Sequence, residues 1–272
     1  KDTKKGILYF DVEDSIKSKR IFKRKNKNNQ LTEYYEYRDT VMHRDAPFRP
    51  EWIRELVHVK TNSPHEKKLM WNRGHLLHQL TYFVGKVNFY YIDKNNRKRT
   101  AVMNTGDSMY IAPYVPHTFA SREKSCAGHI VAITFSDKIS IKKFKTSDHN
   151  HYKKSLKIYQ LAKSKIIPTA NFIQINVSKR NNLNFINNFH QYIYVLSNKG
   201  ALKIENKLVK FIKGDTIYLK PFINYKIPNK DTKILIARVQ SVFNKETMNQ
   251  LYHIGEKNFS RLIKDNEQWF KK

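Results

Sequence analysis

Apolar residues along this chain come in short alternating runs separated by turn clusters. Gly6-Ile-Leu-Tyr-Phe10, Val87-Asn-Phe-Tyr-Tyr-Ile92 and Ile217-Tyr-Leu219 are such runs, and Asp93-Lys-Asn-Asn96 and Asn198-Lys-Gly200 are such turns. Short strands at regular spacing, broken in this way, predict a mainly β sandwich or barrel. Two segments carry helical spacing instead. Tyr152 to Lys165, within the lysine-rich stretch 141–166, reads as a helix ending before Pro168, and the tail from Glu246 to Lys272 reads as helix interrupted at Gly255. The first 45 residues add a basic run at Lys23–Lys27, read as a solvated loop, and the aromatic Tyr34-Tyr-Glu-Tyr37.

The strand pattern repeats. Gln79-Leu-Thr-Tyr-Phe-Val-Gly, Gly106-Asp-Ser-Met-Tyr, Pro113 and His117 are followed later by Gln191-Tyr-Ile-Tyr-Val-Leu-Ser, Gly214-Asp-Thr-Ile-Tyr, Pro221 and Tyr225. From Gly106 to His117 and from Gly214 to Tyr225 the interval is the same 11 residues. Two β units of one design are expected. The expected boundaries are a first domain with an N-terminal extension over 1–140, a helical linker over 141–168, a degenerate second domain over 169–245 and a helical tail over 246–272.

Composition narrows the class. With 272 residues, 40% hydrophobic and 13% aromatic, the chain has ample material for a core. No apolar run reaches the ~18 residues of a membrane span, and no secretory signal precedes the first strand, so a cytoplasmic protein is expected. The single cysteine, Cys126, excludes an internal disulfide and a thiolate cage and is read as a small core residue. Fifty-two basic against 23 acidic residues leave a formal charge of +29. The lysines are scattered among Asn and Ile rather than clustered, so the charge is read as general attraction for anions rather than as a nucleic-acid site.

The chemistry sits at His75-Leu-Leu-His-Gln79 and at Gly106-Asp-Ser-Met-Tyr-Ile-Ala-Pro-Tyr-Val-Pro-His117. On a strand, His75, Leu77 and Gln79 share one face while His78 points to the other. His117, after Pro116, can close a triangle from a neighbouring strand. Two histidines and one further ligand, with open positions left over, suit a non-haem iron(II) site. A lone histidine is more often a surface or core residue. Here the second unit argues for ligands, because Asn187 and Tyr225 stand where His75 and His117 stand while Gln191 keeps the glutamine. An amide brings no charge, so such a centre favours a dianionic substrate. Asn72 is a candidate donor to an oxyanion, and Tyr35, Tyr37 and Arg38 offer phenol and guanidinium donors.

These residues carry a specific resemblance. Asn72-Arg-Gly-His75, His75-x-x-x-Gln79, the 38 residues from Gln79 to His117, and the Gly106–His117 segment resemble the phosphonate-processing cupin oxygenases. Ala46-Pro-Phe-Arg-Pro-Glu-Trp-Ile53 and the two-unit layout extend the likeness over most of the chain. The resemblance implies tandem cupin units (double-stranded β-helix, or jelly-roll, barrels) with accessory helices. It also implies Fe(II) held by His75, Gln79 and His117, with substrate contacts from Asn72 and from Tyr37 and Tyr35. Within the family the third ligand is a glutamate in Gln79's place, or a glutamate six residues before the final histidine, here Ile111, or a glutamine. The glutamine aligns this chain with members that cleave 2-hydroxyethylphosphonate with O2 to methylphosphonate and bicarbonate or CO2. Its alternatives are the related cleavage to hydroxymethylphosphonate and formate, and a non-catalytic cupin that binds an anion and regulates. Two departures stand. Asn29 occupies the place of a family arginine, so that Arg38 or the Lys23–Lys27 run must substitute. The family's N-terminal active-site lysine has no equivalent among Lys1, Lys4 and Lys5, and a segment before Lys1 is expected. The expected partners are 2-hydroxyethylphosphonate and O2, with neither nucleic acid nor membrane, and a homo-oligomer.

Overall fold

The computed structural model describes residues 6–43, 46, 48–75, 78–93, 95–111, 115–135, 170–176, 183–185, 189–204, 207–228 and 231–239. The helices expected in 141–166 and after Glu246 lie outside the described residues, as does Asn187. The chain runs through β1 (Ile7–Phe10), α1 (Val12–Lys17), β2 (Arg20–Lys25), β3 (Leu31–Arg38) and β4 (Phe48–Glu55). The first repeat follows as β5 (His78–Val84), β6 (Val87–Ile92), β7 (Lys98–Met103), β8 (Ser108–Ile111), β9 (His117–Ser121) and β10 (His129–Phe135). The second is β11 (Ala170–Asn176), β12 (Leu183–Phe185), β13 (His190–Ser197), β14 (Lys199–Ile204), β15 (Lys207–Ile212), β16 (Thr216–Leu219), β17 (Tyr225–Ile227) and β18 (Lys233–Val239). The mainly β fold read from the alternation is what forms. Among the described residues, no helix is long and apolar enough to cross a membrane.

Two compact units result. The first repeat packs with residues 20–37 and those from 52 onward, and the second packs with 6–19 and the described part of 38–51. The chain therefore does not divide at one point near 140. Antiparallel pairing explains the interleaving, since β1 lies against β16 with Ile7 opposite Leu219. In the first-repeat unit the sheets run β2-β3-β4-β10-β5-β8 and β7-β6-β9, around a core that includes Phe83, Phe89, Met109, Ile111, Phe119 and Ile130. In the other, β1-β16-β13-β18-β11 and β12-β17-β14-β15 enclose Ile193, Val195, Leu202, Ile217, Ile234 and Ile236.

The repeat holds at the level of register. Gln79 pairs with Ile111 across β5 and β8, and Gln191 with Leu219 across β13 and β16. Each Gly-Asp turn is tied to its barrel by the same backbone bonds. Gly106 N donates to Phe83 O at 3.1 Å and Phe83 N to Asp107 O at 2.9 Å, while Gly214 N donates to Val195 O at 2.9 Å and Val195 N to Asp215 O at 3.0 Å. Both glycines have φ near +100°, 99° and 95°, where a Cβ is disfavoured. A Cβ on Gly214 would also lie 2.5 Å from Val12 Cγ2.

The two turn aspartates have diverged. Asp107 Oδ2 accepts from Asn104 N at 2.8 Å in a half-buried position. Asp215 is fully buried and accepts from Ile212 N at 2.8 Å, Val12 N at 2.9 Å and the Tyr9 hydroxyl, which anchors the N-terminal strand and helix. One sequence expectation fails here. Cys126 is exposed, because it sits in the connection between β9 and β10 rather than on an inward strand position.

Asp215→Ala removes three bonds to one buried carboxylate, from Val12 N, Ile212 N and the Tyr9 hydroxyl, and should lower stability by about 3 kcal/mol, against about 1 kcal/mol for Asp107→Ala. Urea midpoints of the two variants measure this, and equal losses contradict the anchoring role.

Candidate metal centre

Strand β5 delivers the glutamine to the barrel interior. It is paired on both sides, with Gln79 opposite Thr134 of β10 and Ile111 of β8. Gln79, Thr81 and Phe83 share its inward face, and Phe83 belongs to the core. His75 arrives differently from the sequence expectation. The described strand begins at His78, and His75 precedes it in irregular backbone just after Gly74, whose φ is +81°. Strand alternation alone therefore does not place His75, and the turn at Gly74 contributes. His78 opens β5, and its side chain lies outside the described residues.

The three predicted ligands converge. His75, Gln79 and His117 are all buried. His75 Nε2 and Gln79 Oε1 are 3.0 Å apart, and the two imidazole rings meet edge to face with centroids 5.1 Å apart. Two ligand atoms each about 2.1 Å from one ion, at a right angle, are about 3.0 Å apart, so this spacing fits an ion between them. His117 Nδ1 donates to Val115 O at 2.8 Å, which leaves Nε2 with its lone pair free for a donor or a cation. Burial, with the neighbouring His75 and then Arg24, holds the His117 pKa well below the ordinary histidine range, which keeps it neutral as a ligand must be.

Asn72 fastens this corner. Its backbone N donates to His117 O at 3.1 Å, its Oδ1 accepts from His117 N at 2.8 Å and from Gly74 N at 2.9 Å, and its Nδ2 donates to His117 Nε2 at 3.1 Å. Its amide thus lies at the nitrogen expected to hold the metal. Phe89 and Phe119 pack beside the His117 ring, with centroids at 6.0 and 5.6 Å, and form an apolar wall.

No carboxylate enters the donor set. The described residues contain no group of three or more His, Cys, Asp or Glu side chains placed to hold a metal ion. Ile111, fully buried, occupies the position directly across the ladder from Gln79. Paired residues of neighbouring strands point to the same face, so a glutamate at either position can reach the same ion. That accounts for the two glutamate positions that the resemblance implies. Glu55 is buried on the same strand face as the core residue Ile53, and burial raises its pKa well above the ordinary carboxylate value.

Two residues of the site are not singled out in the sequence, although the Lys23–Lys27 run that holds one of them is offered in place of the family arginine. Phe22 pairs with Tyr35 and Lys23 with Glu33, so Tyr34 is an extra residue in a β-bulge. The bulge turns both Tyr34 and Tyr35 inward, where their hydroxyls meet Thr118 Oγ1 at 2.8 and 3.2 Å. Burial pushes both phenol pKa values up. The second residue is Arg24, in the run read as a solvated loop. It is half-buried on β2, with its guanidinium 4.8 Å from the Tyr34 ring centroid and 5.2 Å from that of Tyr35, and it donates to Met70 O. Its charge acts on His117.

The other candidates are placed as follows. Tyr35 also accepts from Phe119 N at 3.0 Å, so its hydroxyl is tied into the wall of the barrel. Tyr37 is half-buried against the core and edge-on to Tyr35. Arg38 falls in the other compact unit. Asn29 lies in the β2–β3 turn at φ 61°, a conformation asparagine tolerates better than arginine.

The second repeat shows what replaces the centre. Tyr225, in the place of His117, donates to Gln191 Oε1 at 2.8 Å. Arg238 lies opposite Gln191, where Thr134 faces Gln79, and its side chain hydrogen-bonds Tyr225. A fixed guanidinium and a phenol fill this part of the second barrel.

No protein-family model matches the chain. Methylphosphonate synthase of Nitrosopumilus maritimus (strain SCM1) is 31% identical over 99% of this chain and 81% of that protein. (S)-2-hydroxypropylphosphonic acid epoxidase of Streptomyces wedmorensis is 29% identical over 38% of this chain and 50% of that protein. The structure of Streptomyces albus HEPD with substrate 2-hydroxyethylphosphonate and Fe(II) bound matches with a TM-score of 0.70 at 22% identity, covering 97% of this chain and 82% of that one. It shares the tandem cupin fold.

If Gln79 and Ile111 address one ion, Gln79→Ala should weaken Fe(II) binding at least tenfold, and adding Ile111→Glu should restore part of it. Competition with a chromophoric chelator measures both. Failure of the second change to restore any affinity contradicts the shared position.

Proposed function

Because this chain belongs to the methylphosphonate synthase family, we propose that it cleaves 2-hydroxyethylphosphonate with O2 to methylphosphonate and bicarbonate, with Fe(II) held by His75 Nε2, Gln79 Oε1 and His117 Nε2. The observation that carries this reading is the convergence of three neutral donor atoms with Ile111 where a carboxylate could stand. The balance closes without a reductant. The substrate dianion and O2 give methylphosphonate dianion, bicarbonate and one proton, so the substrate supplies all four electrons. When bound, Fe(II) supplies the open coordination positions at which dioxygen is activated.

The protein's part is binding and orientation. A divalent ion among neutral ligands leaves its charge for the substrate to neutralise, which selects a dianion over a neutral alcohol. Arg24, with its field on His117 and its guanidinium stacked on Tyr34 and Tyr35, is the cation that supports binding of the phosphonate. It takes the part of the family arginine whose place Asn29 fills. Asn72 donates to His117 Nε2 without a metal. Once that nitrogen is bound to iron, the Asn72 amide is free to donate to a phosphonate oxygen. Tyr37, half-buried beside Tyr35, offers a further phenol. Phe89 and Phe119 exclude water from the reacting carbon. On this reading the enzyme works in the cytoplasm on a small molecule, as a homo-oligomer whose size light scattering can measure.

Phosphorus-31 NMR of the full chain, loaded with Fe(II) and given 2-hydroxyethylphosphonate and O2, should show methylphosphonate. Hydroxymethylphosphonate in its place assigns the related formate-releasing reaction, and no O2 uptake at all leaves an anion-binding cupin without catalysis. Arg24→Met should raise KM about tenfold or more with a smaller effect on kcat, since a remote anchor contributes mainly to uniform binding. Unchanged KM removes Arg24 from the substrate site.

A further inference from the structure

A carboxamide has two unlike ends, and only its oxygen is a ligand. We propose that Thr81 is a positioning residue that holds the Gln79 amide with its oxygen toward the metal, an inference that rests on reading Gln79 as a ligand. Gln79 Nε2 donates to Thr81 Oγ1 at 2.8 Å, while Gln79 Oε1 faces His75 Nε2 at 3.0 Å. Thr81 is fully buried two residues along the inward face of β5, between its ladder partners Met109 and Ala132. A hydroxyl among such neighbours has no partner to gain from water. Its acceptor lone pair takes the amide N–H2 that a metal-bound glutamine must otherwise bury unpaired.

The second repeat supplies the control. There Gln191 occupies the same register, and Ile193 stands where Thr81 stands. Gln191 is likewise fully buried, its Oε1 accepts from Tyr225, and its Nε2 has no hydrogen-bond partner among the described residues. The barrel therefore folds with an aliphatic residue at this position, and an orphaned amide is tolerated where no ion is to be bound. The repeat that has lost His117 to Tyr225 has also lost the hydroxyl. A structural demand of the strand does not explain Thr81, because β13 keeps the same register with isoleucine. A demand of the amide ligand does.

The role also bears on why a neutral ligand works here. A carboxylate at position 79 can accept from a Thr81 hydroxyl as readily as an amide can donate to it, because a hydroxyl serves either way. Valine leaves the far end of either group unbonded. The two ends of a carboxylate are alike, however, so only the amide depends on Thr81 to choose which end faces the metal.

The test uses the full chain. Thr81→Val, close to threonine in shape, should weaken Fe(II) affinity about tenfold or more by chelator competition. It should also alter the EPR spectrum of the Fe(II)–nitric oxide complex, with thermal unfolding little changed. Thr81→Ser, which keeps the hydroxyl, should restore both affinity and spectrum. Should the valine variant fail to fold, Thr81→Ala against Thr81→Ser makes the same comparison. Gln79→Ala separates the two premises. If it leaves Fe(II) affinity and spectrum unchanged, Gln79 is no ligand and the proposal falls with that reading. If it weakens binding while Thr81→Val does not, Gln79 stands and the role of Thr81 is overturned.

Discussion

The register of β5 between β10 and β8 is the constraint on which the proposed metal centre depends. With Gln79 opposite both Thr134 and Ile111, the inward face of the strand reads Gln79, Thr81, Phe83. A slip of one residue would send all three outward and bring Leu80 and Tyr82 into the barrel. Phe83 in the core and the Gly106-Asp107 turn bonded to its backbone hold that register, so packing far from the ligands sets where they point. The second repeat uses the same device. Val195 and the Gly214-Asp215 turn fix β13, and Gln191 is inward for the same reason.

Charge gives the two barrels different uses. Burial lowers the pKa of His117 and raises that of Glu55, so each buried environment opposes charge. Arg24 is a fixed cation acting there. A divalent ion would add two positive charges, leaving an electrostatic vacancy matched to a dianion. In the second barrel Arg238 stands across from the glutamine and bonds Tyr225, so a permanent cation takes the place of an exchangeable one. A guanidinium offers no open coordination position. On the proposed assignment, the same scaffold supports metal chemistry in one unit and packing and hydrogen bonding at the matching position of the other.

The departures from the sequence reading share a cause. Arg24 was assigned to a loop because Lys23–Lys27 is basic and carries little apolar signal, yet its guanidinium lies over Tyr34 and Tyr35. Long cationic side chains reach apolar surface while their composition reads as solvated. Tyr34 was invisible as an inward residue because alternation assigns it the face opposite Tyr35, and a bulge cancels alternation locally. His75 was placed by counting along a strand that, as described, starts only at His78. It reaches the site nonetheless, with the left-handed turn at Gly74 beside it. Cys126 was read as buried from residue type alone, and a loop between strands decides otherwise.

By itself the sequence determined the class of fold, the two-unit plan and the identity of the three convergent donors. Those rest on period-two alternation, on a repeated turn and on residue chemistry, all of them local in the chain. Tertiary structure alone decided the partners of the donors. Thr81 beneath Gln79, Ile111 across from it, Asn72 on His117 and Arg24 over the tyrosines involve pairings between strands, or a choice of amide orientation, that no spacing encodes. Ligand type is a property of a residue. Whether an amide presents its oxygen is a property of what its nitrogen can bond.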